Sequence, residues 1–71
     1  MPTVAATSLL LLTTGEQLAL LRRRKGLSQE EVATAAGVHR TTLCRYETGT
    51  WKLPDRRIPE IVAAIEQLAG R

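Results

Sequence analysis

The sequence predicts an all-α fold: a compact domain of four to five short helices preceded by a non-helical N-terminal arm. Three observations lead to this. From about residue 15 onward apolar residues recur at spacings of three and four, the period of one helix face. Thr14 stands three positions before Gln17 and Ser28 three before Glu31, the spacing of a capping box. Glycines close each periodic run, and a proline opens the last one. With 71 residues the chain suits a single small core, so the expected division is an arm over 1–13 and one domain over 14–71.

Residues 1–13 show no helical period, and the piece from Val4 to Leu12 reads as a short strand or an extended arm. Thr14 with Gln17 then predicts a first helix from about Gly15 to Lys25. Leu18 and Leu21 are its inward stripe, and Arg22, Arg23, Arg24 and Lys25 fill its last turn, where cations complement the helix dipole. Gly26 ends it. Ser28 and Glu31 form the second capping box, opening a short helix whose apolar side is Val32, Ala33 and Ala36. Gly37 stops that helix, and a third is expected over about His39 to Thr48, with Leu43 and Tyr46 facing inward and Gly49 at its end. Residues 50–58 read as a loop around Pro54. Pro59 suits a helix's first turn, where its missing N–H costs nothing. The last helix accordingly runs to about Leu68 on a stripe of Ile61, Val62, Ile65 and Leu68.

Net charge is only +3, but it is unevenly spread. Between Arg22 and Arg57 nine basic residues face four acids, a net of +5, while the outer segments together are net acidic. Such a field attracts a phosphate backbone over about a Debye length; a solvated charged surface is the other reading of the same numbers. One cysteine, Cys44, and one histidine, His39, cannot supply the four ligands of a closed zinc site. The lone cysteine also rules out an internal disulfide and fits a reducing, cytoplasmic setting. Leu9 to Leu12 is far too short for a membrane span, and no basic residue precedes it as in an export signal. No carboxylate pair, Ser/His/Asp set, metal cluster or glycine-rich phosphate loop is apparent. The expectation is therefore a protein that is not an enzyme and takes no cofactor, metal or small-molecule ligand.

The second and third helices together carry a mechanical pattern. Ala33 supplies a residue without bulk where two steeply crossing helices approach, and Gly37 supplies positive φ at the corner. With Leu18, Leu21-Arg22, the run Gly26-Leu27-Ser28-Gln29-Glu30-Glu31-Val32-Ala33, Gly37-Val38, Thr42-Leu43, Arg45-Tyr46-Glu47-Thr48-Gly49 and Pro54, the chain resembles the phage-repressor and Cro-like helix-turn-helix family, the xenobiotic-response-element type. The resemblance spans roughly Gly15 to Leu68. It implies a lambda-repressor-like domain that binds double-stranded DNA, with the third helix in the major groove.

On a wheel of 100° per residue, Arg40, Thr41, Cys44, Arg45 and Thr48 fall within an arc of about 140°, opposite Leu43, Tyr46 and His39. This arc is either a groove-facing surface or a plain solvated face. Arg40 and Arg45 have forked donors that match guanine O6 and N7, and Thr41 can meet a base edge. The resemblance gives base contact to Arg40, Thr41 and Arg45. Cys44 joins them as a small residue fitting against DNA, with a thiol-sensitive switch as the lesser reading. Phosphate contacts are expected from Gln29 at a helix start, from His39 and Thr42, and from Lys52, Arg56 and Arg57 beyond the third helix. His39 stands where relatives often have Ser or Thr, and its other reading is a weakly capped helix start. Trp51 is read either as an anchor over the core or as a surface ring, with packing the expected use. Arg22 and Glu47, following the resemblance, are expected to pair and tie the first helix to the third.

Relatives usually continue into a fifth helix, whereas this sequence stops after the fourth. Val4 and Leu9 to Leu12 are the apolar residues left to cover that face or to meet a second subunit. The leading expectation is a sequence-specific regulator, a repressor acting as a homodimer on a palindromic operator. The alternative is a protein-interaction module, an antitoxin or phage factor that binds a toxin or RNA polymerase through the same fold.

Overall fold

The structure is a computed structural model that describes residues 12–70. Val4 and Leu9 to Leu11, expected as a strand, an arm or a dimer contact, lie outside the described residues. Four α-helices follow one another: α1 Thr14–Arg24, α2 Gln29–Ala36, α3 Arg40–Glu47 and α4 Ile58–Ala69, with a single 3-10 turn at Asp55–Arg57 before the last. Among the described residues there is no strand.

The start of α1 corrects the expected cap by one residue. Thr13, extended at φ −67° and ψ 163°, is the N-cap: the Glu16 N–H donates to Thr13 Oγ1 (3.1 Å), and the Thr13 N–H donates to Glu16 Oε1 (2.9 Å). The sequence offers two overlapping boxes, Thr13 with Glu16 and Thr14 with Gln17. The charged acceptor wins, because a carboxylate takes a stronger hydrogen bond than an amide and also meets the positive end of the helix dipole. Gln17 is diverted outward, donating from Nε2 to the Leu12 carbonyl at 3.1 Å. The Thr13 N–H, helped by the Thr13 hydroxyl, holds the Glu16 carboxyl below its ordinary value.

At α2 the box is closed by Ser28 and Glu31, with both hydrogen bonds at 3.0 Å. The corner between α2 and α3 is made by Gly37 at φ +72°. Its N–H donates to the Thr34 carbonyl and the Val38 N–H to that of Ala33, the Schellman pattern that turns a helix end sharply. His39 caps α3 with its backbone alone; its side chain makes no capping hydrogen bond.

The core is Val32, Ala33, Leu43, Tyr46, Leu53, Ile61, Ala64 and Ile65, with Leu18, Leu21, Leu27, Val38, Ile58 and Leu68 packed around it. α4 lies mainly on α2, and α1 lies on α3. Leu53 anchors the loop after α3, a role its position between a lysine and a proline did not signal. Trp51 is instead 46% exposed, which corrects its expected use as the core anchor.

Gly15 fixes how closely α1 approaches α3. A Cβ placed there would stand 2.6 Å from the carbonyl carbon of Tyr46 and nearer still to its oxygen. The residue is helical and needs no positive φ; it is small because another backbone occupies the space.

Candidate nucleic-acid interface

Two helices meeting at a tight turn present α3 to solvent along one side. Leu43 and Tyr46 enter the core, while Arg40, Thr41, Arg45 and Thr48 are exposed on the opposite side with Cys44 half-buried between them. Gln29, Arg40, Thr41 and Cys44 line a shallow depression where α2 meets α3. His39, Lys52 and Arg56 are exposed; Thr42 and Arg57 are half-buried. The Arg57 guanidinium also reaches Glu60 at 3.2 Å, an ion pair that solvent largely screens. The α3 cations are therefore brought to one face, and the three cations after it to the adjoining loop and turn.

What holds this face is a charged cluster centred on Glu47. Arg22 donates from Nε to Glu47 Oε2 at 2.8 Å and from Nη2 to Oε1 at 2.9 Å, a two-pronged geometry specific to guanidinium. The third prong, Nη1, donates to the Leu27 carbonyl at 2.7 Å. Both residues are only 7% exposed. Gln29 adds a further hydrogen bond, from Nε2 to Glu47 Oε1 at 2.9 Å. One carboxylate thus ties α1, α2 and α3 together. Among the described residues, no buried side-chain nitrogen or oxygen lacks a partner.

Gln29 therefore has a structural use that its position at a helix start did not disclose, and one of its amide donors is spent on Glu47. The sequence carried no sign of this, because contact with a residue 18 positions away depends on how the helices cross.

Arg45 and Trp51 form the other contact that sequence reasoning missed. The Arg45 guanidinium lies over the indole, 4.5 Å from the ring centroid, within the range of a cation–π contact. Their backbones are tied as well: the Arg45 carbonyl accepts from the Trp51 N–H at 3.1 Å and from Thr48 Oγ1 at 3.3 Å. Gly49, at φ +78°, turns the chain back to allow this. A glycine followed two residues later by an aromatic was the available signal, but only side-chain placement shows that the ring is exposed and which cation it receives.

Among the described residues, no helix is long and apolar enough to cross a membrane. A family profile described as a helix-turn-helix domain matches residues 14–70 of the chain. No curated protein and no solved structure matches it.

Proposed function

The chain belongs to the helix-turn-helix domain family, and from that premise we propose that it is a sequence-specific double-stranded DNA-binding regulator. The observation that carries the reading is the exposed face of α3: Arg40, Thr41 and Arg45 stand outward beside Cys44, on a helix fixed from behind by the Glu47 cluster. In this reading α3 enters the major groove, where Arg40 and Arg45 read base edges, Thr41 packs or donates to one, and Cys44 fits against them. His39, Thr42, Lys52, Arg56 and Arg57 meet phosphates alongside, with Gln29 and the first turn of α2.

The finer mechanism is repression by a cytoplasmic homodimer that covers a palindromic operator. Its two α3 helices would sit about 34 Å apart, one turn of the duplex. Val4 and Leu9 to Leu12 are assigned to the apolar contact that completes the domain or the dimer. Deleting residues 1–12 should weaken folding or self-association, measured by thermal melting and sedimentation. An equally stable and equally associated product would remove that assignment.

Selection of bound sites from a random duplex pool tests the whole reading. The expected product is a two-fold symmetric sequence. Its affinity should fall with salt at a log–log slope of roughly −5, if Lys52, Arg56 and Arg57 of two subunits neutralise about six phosphates. No enrichment, together with a flat salt response, would refute DNA binding and favour a protein partner.

A further inference from the structure

Arg45 differs from Arg40 in one physical respect. Neither guanidinium has a hydrogen-bond acceptor among the described residues, but that of Arg45 is held in place by the Trp51 ring. A guanidinium seated over a ring face, here 4.5 Å from the centroid, meets π density rather than a hydrogen-bond acceptor, so the contact restricts the side chain without occupying its donors. The hydrogen bond from the Trp51 N–H to the Arg45 carbonyl ties the two residues through their backbones. The platform is therefore local to Arg45 and independent of the hydrophobic core. Leu53 anchors the loop there, and Trp51 stays 46% exposed.

We propose that Trp51 is a positioning residue for DNA recognition: its indole pre-orients the Arg45 fork toward a paired acceptor on the duplex, either a guanine edge or an adjacent phosphate. This rests on the DNA-binding reading above. The energetic logic is that an exposed arginine loses rotamer freedom when it binds, and a platform that has already restricted it lowers that loss. Excluding water from the stacked face on docking also strengthens the cation–π contact itself, because desolvated pairs are stronger than exposed ones.

The test is a double-mutant cycle on the duplex enriched in the selection and on a scrambled duplex of the same composition. Trp51→Leu should weaken binding by about 3- to 30-fold, the range set by exposed to desolvated cation–π contacts, with the free protein still folded and its melting temperature lowered by no more than a few degrees. Trp51→Tyr, which keeps a π face, should recover most of the loss. In an Arg45→Ala background, Trp51→Leu should cost nothing further, because the platform then has nothing to orient. Loss confined to the enriched duplex identifies a guanine edge as the acceptor; equal loss on both duplexes identifies a phosphate.

Because Trp51 is the chain's single tryptophan, its emission reports the stack without DNA. Arg45→Ala in the free protein should shift that emission and raise its quenching by acrylamide. An unchanged spectrum overturns the proposal, as do additive losses in the cycle or a Trp51→Leu variant that binds like the parent. If the unaltered protein binds no duplex at all, the DNA-binding reading itself fails and this proposal falls with it.

Discussion

Replacing a helical glycine by alanine ordinarily stabilises a helix by about 0.5–1 kcal/mol, because alanine loses less backbone freedom on folding. At Gly15 the expected sign is the reverse. The new methyl would lie 2.6 Å from the Tyr46 carbonyl carbon, whereas carbon atoms pack best at about 3.5–4.0 Å. The first turn of α1 must then retreat from the end of α3 by roughly 1 Å. The methyl is fixed by the backbone that bears it and its neighbour is itself helical backbone, so no side-chain rotation can relieve the clash. The retreat also pulls α1 from the helix that carries Glu47, the acceptor of Arg22 at 2.8 Å. Forced overpacking costs about 1–3 kcal/mol and occasionally more, which exceeds the propensity gain. In a domain this small each kcal/mol lowers Tm by about 4–8 °C. Thermal melting followed by circular dichroism checks this directly. A Gly15→Ala protein that melts at or above the parent would refute the close packing of α1 on the Tyr46 backbone.

Glu47→Ala should destabilise the fold by on the order of 3–5 kcal/mol, because it leaves the buried Arg22 guanidinium without its carboxylate; an unchanged melting temperature would show that the cluster is dispensable. The Thr13–Glu16 box gives a pH dependence of known sign. Since folding lowers the Glu16 carboxyl below its ordinary 4.5, its contribution is full above that value and is lost as pH falls through the lower, folded one. Melting profiles in acid should therefore converge for the parent and Glu16→Gln, while a constant gap between them would exclude the linkage. Arg40→Ala should lose about 1–3 kcal/mol of discrimination between the selected duplex and a random one; equal loss on both would move Arg40 from base edge to phosphate.

Local chemistry made most of the fold legible. Ser28 with Glu31 and the positive-φ glycines at 26, 37 and 49 act within a few residues of themselves, so pattern alone locates the ends of the helices they bound. The expected start of α1 was displaced by one residue for the same reason. Two boxes overlapped, and spacing does not weigh a carboxylate against an amide. The exposed side of α3 was likewise readable, because a helical wheel needs only the period and the positions of Leu43 and Tyr46. What the sequence did not disclose lies between elements. Gly15 looks like an ordinary first-turn residue until Tyr46 is placed against it, Gln29 looks free until Glu47 arrives from α3, and Trp51 looks like a core residue until Leu53 takes that position.

These hidden contacts share a consequence for how the interface works. Glu47 terminates α3 and accepts from Arg22 of α1 and Gln29 of α2, so the angle at which α3 leaves the domain is set by buried, charge-assisted hydrogen bonds rather than by apolar packing alone. Such bonds are directional, which favours one orientation over neighbouring ones. Arg22, although a cation of the central basic field, is consumed in this task. Arg40 and Arg45, five residues apart along α3, keep their donors unoccupied among the described residues. The division follows from burial: a guanidinium removed from water must satisfy its donors within the fold, and one left at the surface retains them for a partner. Charge counting along the chain gives all these arginines equal weight, but the Glu47 cluster separates the one that fixes α3 from those whose donors stay open on its exposed face.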